Sequence, residues 1–152
     1  MALKRINKEL NDILSKSPSN YNLEPVSSEN KFNLISAIKG PIGTPYEGGI
    51  FYLSIKLTDN YPFKPPKVHI ITKIYHPNVN PLGLVSLSIL CEDWFPNKTI
   101  SNVITTILQL LEKPDIDNPY DTDIALIYKN NYKLFEENAK ICTQKFAKKY
   151  TL

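Results

Sequence analysis

Apolar residues recur at helical spacing at the start of the chain, from residue 2 to residue 16. The positions that share one face of such a helix are Leu3, Ile6, Leu10, Ile13 and Leu14. Lysine, arginine and aspartate occupy other positions, so the pattern predicts an amphipathic helix. Because proline cannot continue a helix, we expect this one to end before Pro18.

Three β-rich stretches follow, at residues 32–39, 50–57 and 67–72. Partial alternation of apolar and polar residues, as in FNLISAIK and IFYLSIKL, is typical of strands. The segment GPIGTPYEGG has the glycines and prolines of a connection between two strands. Three prolines in YPFKPP exclude a regular element just before the third stretch. We therefore predict three or four consecutive strands.

Residues 75–98 form a long irregular segment, punctuated by prolines and a glycine. Long irregular segments inside compact domains are often functional. A helix is predicted next, capped by Thr99 or Ser101 and ended by Pro114. Its expected buried positions are Ile100, Val103, Ile104, Ile107, Leu110 and Leu111. Two further helical patterns follow the loop DIDNPYDT and run to the C-terminus.

The order of elements is a helix, consecutive strands, an irregular segment and then helices. Strands in one run and helices in another indicate an α+β domain, here with an antiparallel meander sheet. The chain has 152 residues and shows no repeat, low-complexity tract or linker-like change of composition. We therefore predict a single domain, residues 1–152.

Composition and charge exclude several classes of function. Lysine and arginine total 18 and aspartate and glutamate 15, and the formal charge of +3 is too small to indicate nucleic-acid binding. No apolar run has the length of a membrane span. The opening residues, MALKRINKEL, are charged and periodic, unlike a signal peptide. We expect a monomer in the cytoplasm, the nucleus or both, with neither nucleic-acid nor membrane partners.

The cysteines and histidines do not indicate a metal site. Cys91 and Cys142 are the two cysteines and form no CxxC pair, which argues against both a disulfide framework and a zinc site. His69 and His76 have no acid or thiol at ligand spacing, so we expect structural roles for both. No metal and no cofactor are predicted.

Several motifs occur in a fixed order along the chain. They are MALKRINKELNDI, GPIGTPYEGGIFYLSI, YPFKPPKV followed by IYHPNV, DWFP with TI after it, and LLEKPDIDNP. In this order and spacing they resemble the ubiquitin-conjugating enzyme family over nearly the whole chain. The resemblance implies that family's fold: an N-terminal helix, a four-stranded antiparallel meander sheet, a long active-site segment and C-terminal helices.

The resemblance also implies an activity and partners. Family members accept ubiquitin or a ubiquitin-like modifier from an activating enzyme, hold it as a thioester on a cysteine, and pass it to a lysine or a ligase. LSIL and EDW recur in branches dedicated to ubiquitin-like modifiers, whereas the first helix and YPFKPPKV look like branches that carry ubiquitin. We expect ubiquitin.

Ser86 stands at the position of the family's cysteine. That cysteine follows HPN in a Gly-x-x-Cys-Leu pattern, which here is Gly83-Leu84-Val85-Ser86-Leu87. A thiol with a pKa of about 8.5 is already partly thiolate at neutral pH, whereas a hydroxyl needs an adjacent general base. Within this segment His76 is the only candidate base, and in the family that histidine looks structural. Ser86 should load slowly, and its ester should be a poor acyl donor.

Three interpretations of Ser86 stay open. It can be a replacement of a natural cysteine, made to trap or silence the conjugate. It can mark a natural non-catalytic relative that acts as a binding module, and several neighbouring departures from the family pattern favour that interpretation. Finally, Cys91 can be the nucleophile instead, although the family usually has a basic residue there. We expect Cys91 to be partly buried and inert.

Other site positions follow from the resemblance. Asn78 of HPN matches an asparagine that supports the loop and stabilises the oxyanion during transfer. Asn118 stands where many members have an acidic residue that positions or deprotonates the incoming lysine, and an amide cannot accept that proton. Asp117 can substitute in part. Ser88 replaces an aspartate that is common in the family.

Two regions are candidates for binding partners. Lys4, Arg5 and Lys8 cluster in the first helix, as either a solvated face or a docking face for the activating enzyme or a ligase. The resemblance points to Arg5 with Phe63 and Phe95–Pro96 as the surface that docks ligases. Phe63, flanked by prolines in a loop, is poorly placed to enter the core and suits an apolar anchor. By contrast, we expect Leu3, Ile6 and Leu10 in the core.

Overall fold

The chain forms a four-stranded sheet with one helix before it and three after it, in a computed structural model that describes residues 1–148. The elements in chain order are α1 Ala2–Lys16, β1 Glu24–Ser27, β2 Asn30–Lys39, β3 Ile50–Lys56, β4 Lys67–Ile70, a 3-10 turn Ser88–Leu90, α2 Ile100–Glu112, α3 Thr122–Asn130 and α4 Tyr132–Phe146. The strands pair antiparallel in the order β1-β2-β3-β4. The predicted α+β class with a meander sheet is confirmed.

Helix α1 has the predicted length, but a different face is buried. Ser17 ends it in the left-handed region with φ 44° and ψ 60°, and Pro18 follows. Ala2, Ile6, Glu9 and Ile13 are its buried residues. The expectation that Leu3 enters the core is wrong, because Ala2 and Glu9 take the inward positions and leave Leu3 45% exposed. Leu14 is also exposed, and Leu10 packs half-buried against the core.

The inner face of the sheet supplies much of the core. Alternate residues of β2 and β3 face each other in register, with Leu34 opposite Ile55 and Ile38 opposite Phe51. All four are essentially inaccessible to solvent. Side chains of this size each contribute about 1.5–3 kcal/mol when they are fully buried. One continuous cluster joins this face to α1, α2 and α4.

Helix α2 follows the irregular segment directly, with Thr99 as its N-cap residue. The Thr99 hydroxyl accepts a hydrogen bond from the Asn102 amide (3.0 Å), and the Asn102 side chain accepts one from the Thr99 amide (2.9 Å). This reciprocal cap identifies Thr99, of the two predicted candidates, as the residue that starts the helix. All six predicted apolar positions of α2 are buried.

The chain after α2 is anchored back onto the sheet. Asp121 caps α3 and Asn131 caps α4 through their side chains. At the end of α4, the Ala147 carbonyl accepts a hydrogen bond of 2.9 Å from the Ile50 amide at the start of β3. Within residues 1–148, no helix combines the length and the hydropathy that crossing a bilayer requires.

Candidate active site

Asn78 joins the HPN motif to the turn at residues 115–118. Its side-chain oxygen accepts from the Asp115 amide at 2.9 Å, and its side-chain nitrogen donates to the carbonyls of Asp115 (2.8 Å) and Asn118 (3.3 Å). Asn78 is fully buried. Both hydrogens of the amide group are therefore engaged in holding two distant segments together.

His76 is buried and has no free nitrogen. Nδ1 accepts a hydrogen bond from the Asn78 amide (3.0 Å), so the proton lies on Nε2, which donates to the Leu110 carbonyl (2.9 Å). Burial lowers the pKa of His76 to about 4, although the Leu110 carbonyl acts in the opposite direction. Because both ring nitrogens are occupied, His76 cannot serve as the general base that Ser86 would need.

The pKa of His76 predicts a stability change in acid. A histidine in the unfolded chain has a pKa of about 6.5, so between roughly pH 6.5 and pH 4 the unfolded state binds more protons than the folded state. The free energy of unfolding should therefore fall by about 2 kcal/mol between about pH 7 and about pH 5. Urea titrations at both pH values measure it. The variant His76→Gln should lose this slope and His69→Gln should keep it; an equal slope in all three proteins would contradict the assignment.

Ser86 is held beside the Asn78-anchored turn. Its backbone amide donates to the Asn78 carbonyl (2.8 Å), and its hydroxyl donates to the Asn118 carbonyl (3.2 Å). Single antiparallel bridges at Val79–Val85 and His69–Leu84 fix the residues just before it. The side chain is half-buried. Both the backbone and the side chain of residue 86 are therefore hydrogen-bonded to the HPN motif or to the turn that Asn78 holds.

Gly83, three residues before Ser86, lets the chain pack closely against β4. Its φ is +85°, and a Cβ at this position would lie 2.3 Å from the Ile70 carbonyl oxygen. Its own carbonyl accepts a hydrogen bond of 2.8 Å from the Ile70 amide. Only glycine combines this left-handed conformation with so close an approach to β4.

Ser86 lines an open cavity of about 610 Å³. Its wall also includes Cys91, Asp115, Asn118 and Tyr120, and it contains the charged or titratable groups of Lys67, His69 and Glu92. The Asn118 side chain is exposed and donates to Asp115 Oδ2 at 3.3 Å. Asp117 is exposed and, in the described part of the chain, is not among the residues of this wall. Among residues 1–148, no three His, Cys, Asp or Glu side chains converge as a metal site.

Cys91 does not have the predicted burial. It is exposed, it directly follows the 3-10 turn at Ser88–Leu90, and it lines the same cavity as Ser86. Its Sγ lies 3.6 Å from the Leu87 carbonyl oxygen. Ser88 is exposed as well. Burial therefore gives no reason to regard Cys91 as inert.

A family model described as ubiquitin-conjugating enzyme matches residues 5–143. The chain belongs to this family. It is similar to a solved structure from Plasmodium yoelii assigned to the ubiquitin-conjugating enzymes, with 39% identity, a TM-score of 0.91, and coverage of 98% of this chain and 97% of that one. It is also similar to the E2 domain of a Toxoplasma gondii ubiquitin-conjugating enzyme, with 36% identity, a TM-score of 0.90, and coverage of 97% and 100%.

The residues predicted to dock ligases lie together on two adjoining loops of this ubiquitin-conjugating fold. We call Phe63, Phe95 and Pro96 the apolar patch; Phe63 is 75% and Phe95 57% exposed, and Pro96 is exposed as well. Buried Trp94 connects the loops, because its indole nitrogen donates to the Pro62 carbonyl at 2.8 Å. The exposure of Phe63 agrees with its proline-flanked sequence, while its binding role stays a prediction.

Arg5 holds the loop that carries Phe95 and Pro96 through hydrogen bonds to its backbone. Its Nη1 donates to the Pro96 carbonyl (2.9 Å) and its Nη2 to the Lys98 carbonyl (2.7 Å), while Nε pairs with buried Glu9 (2.9 Å). The predicted neighbours Lys4 and Lys8 are exposed on α1. Most of the Arg5 guanidinium is therefore engaged within the chain.

Glu9 is a supporting residue that the sequence analysis missed. Its Oε1 accepts from the Ile100 amide (2.8 Å) at the start of α2, and its Oε2 accepts from the Tyr61 hydroxyl (2.5 Å). Burial, and then the bond to Glu9, raise the pKa of Tyr61 well above its usual value. The sequence did contain a signal for this role, because Glu9 is a charged residue between Ile6 and Ile13 on the apolar side of α1.

Proposed function

We propose that this chain accepts ubiquitin from an activating enzyme on the side chain of residue 86 and transfers it to lysine together with a ligase. Membership of the ubiquitin-conjugating family supports this role and implies those partners. The observation that carries the proposal is the position of the Ser86 hydroxyl, fixed by the Asn118 carbonyl in the wall of an open cavity. Ubiquitin's C-terminal acyl group would be attached at that oxygen.

The chain with Ser86 should act slowly or trap its product. A serine hydroxyl is not ionised at neutral pH, and His76 has no nitrogen free to remove its proton. An ester formed at Ser86 would also release its acyl group to an amine less readily than a thioester. The proposed state of this chain is therefore inactive or ester-trapped.

A second candidate function is a non-catalytic binding module with the same fold. The observation that favours it is the combination of Ser86 with Asn118, since neither side chain supplies the thiol or the acid of the family pattern. The exposed apolar patch would serve such a module equally well. The codon of the natural gene at position 86 separates the two functions, because a cysteine codon would exclude the binding module.

The modifier is proposed to be ubiquitin. The motif YPFKPPKV and the first helix support this choice through their likeness to ubiquitin-carrying branches. Incubation of the chain and its Ser86→Cys variant with ATP, each modifier and the matching activating enzyme tests it. We expect an adduct with ubiquitin, and an adduct formed exclusively with another modifier would contradict the choice.

Phe63→Ala should weaken ligase binding without unfolding the protein. Phe63 is largely exposed and has the apolar area of an interface anchor, so its loss should cost about 1–3 kcal/mol of binding free energy. Titration calorimetry against a panel of ubiquitin-ligase domains measures the effect, and thermal melting measures stability. Ile42→Ala, at an exposed apolar residue on the β2–β3 connection, is the matched control. Unchanged binding to every domain of the panel would contradict the role of Phe63 as an anchor, whatever the melting temperature.

A further inference from the structure

Transfer to lysine needs a group that can take a proton. An acceptor lysine is mostly ammonium at neutral pH, and only the neutral amine attacks an acyl carbon. Asn118 cannot accept this proton, since an amide nitrogen is a donor and an amide oxygen is a very weak base. Two acidic residues, Glu92 and Asp115, are among those that line the cavity beside Ser86.

Asp115 is the carboxylate whose position is fixed relative to Ser86. Its amide donates to the Asn78 side chain (2.9 Å) and its carbonyl accepts from the same side chain (2.8 Å), so Asn78 holds its backbone on both sides. Asn118 then connects it to the attachment site: the Asn118 side chain donates to Asp115 Oδ2, and the Asn118 carbonyl accepts from the Ser86 hydroxyl. One residue therefore links this carboxylate to residue 86.

The carboxylate of Asp115 keeps capacity for an incoming donor. Oδ1 accepts from the Asp117 amide (3.1 Å), and Oδ2 accepts from the Asn118 side chain (3.3 Å). Each oxygen has two acceptor positions, so one remains on each. Asp117 lies outside the cavity wall, and its amide helps to orient the Asp115 carboxylate.

We propose that Asp115 binds the acceptor lysine in this cavity and takes its proton, in place of the acid that residue 118 lacks. The inference rests on the proposed attachment of ubiquitin to residue 86. In the transfer step, the lysine nitrogen forms a bond to the acyl carbon and the bond from that carbon to the residue-86 side chain breaks. Before the attack, the Asp115 carboxylate takes one proton from the lysine ammonium and releases it to solvent, which leaves the neutral amine. As that amine attacks, a second proton passes from the nitrogen through the carboxylate to the departing oxygen or sulfur, which restores the carboxylate.

Discharge of a Ser86→Cys protein loaded with ubiquitin tests the proposal. Asp115→Asn preserves the backbone bonds to Asn78 and an oxygen for the Asp117 amide, but removes the proton acceptor. We expect it to slow discharge to free lysine by about 10²-fold or more. Loading, and discharge to hydroxylamine, should be unchanged, because hydroxylamine is already neutral near pH 7. The difference in lysine discharge rate between Asp115→Asn and its parent should become smaller as the pH rises from about 7 to about 9, because more lysine becomes neutral.

Four further variants distinguish Asp115 from its neighbours. Asn118→Asp should restore lysine discharge in the Asp115→Asn protein, and Asp123→Asn, on the exposed first turn of α3, should change nothing. A loss of lysine discharge in Glu92→Gln or Asp117→Asn but not in Asp115→Asn would overturn the role of Asp115. It would leave the proposed attachment of ubiquitin to residue 86 intact. Equal discharge of lysine by Asp115→Asn and its parent would do the same. Failure of the Ser86→Cys protein to load at all would overturn the proposed function as well.

Discussion

The variant Ser86→Cys should form a ubiquitin adduct that reductant cleaves, at a rate at least about two orders of magnitude above that of the unsubstituted chain. A thiol is partly ionised at neutral pH and is intrinsically nucleophilic, whereas the Ser86 hydroxyl has neither property. Because residue 86 lines an open cavity, we expect the site to accommodate the larger sulfur atom. Gel mobility with and without reductant, after incubation with ATP, activating enzyme and ubiquitin, measures the product.

The unsubstituted chain should behave differently in the same experiment. We expect either no adduct or a slow one that survives reductant and is cleaved by alkali, because an ester does not exchange with added thiol. If Ser86→Cys stays unloaded with every activating enzyme, the defect lies beyond residue 86. Asn118 is then the next candidate for the position of that defect. The binding module becomes the better interpretation of the chain.

Asn78→Ala should lower the free energy of unfolding by about 3 kcal/mol. The change removes three hydrogen bonds and leaves the Asp115 amide and two carbonyls without their partner in a buried site. The turn that carries Asp115 and Asn118 should detach from the HPN motif, so lysine discharge by the Ser86→Cys protein should fall together with stability. Urea unfolding and single-turnover discharge measure the two effects.

Two comparisons show what the Asn78 amide does. Asn11→Ala, at an exposed position of α1, should leave stability almost unchanged. Asn78→Asp is close in size but presents an oxygen, in place of the donor nitrogen, to the carbonyls of Asp115 and Asn118, so it should be destabilised as well. If Asn78→Ala kept full stability yet lost discharge, the amide would act on the oxyanion during transfer and the structural account would be wrong.

The periodic parts of the fold could be predicted from the sequence. Helix α2 has a cap, a strong apolar period and a terminating proline, and its predicted buried residues are the observed ones. Strand β1 is different: it contains only Glu24–Ser27 and is mostly exposed, so it shows no period that would distinguish a strand from a loop. On α1, the buried face depends on the partners of Glu9, which lie on other elements. No local pattern could show that Leu3 is displaced outward.

The candidate site divides in the same way. Motif resemblance predicted Asn78, Ser86 and Asn118 as site residues because each lies in a recognisable stretch of sequence. The role proposed for Asp115 could not be predicted, since it depends on the bonds of Asp115 to a side chain 37 positions away. The exposure of Cys91 depends on how the 3-10 turn at Ser88–Leu90 ends, which is equally a property of the folded chain. Local sequence therefore predicts which segments form the site better than it predicts which side chains face the cavity.

The intact masses of four proteins test most directly whether residue 86 carries the modifier. They are the chain itself, Ser86→Cys, Cys91→Ala and the double variant, each incubated with ATP, activating enzyme and ubiquitin and then split into samples with and without reductant. The account predicts a reductant-sensitive gain of one ubiquitin in both proteins that contain the Ser86→Cys change and in neither of the others. A reductant-sensitive gain in the unsubstituted chain that Cys91→Ala abolishes would contradict it and assign the attachment to Cys91, which is exposed in the same cavity.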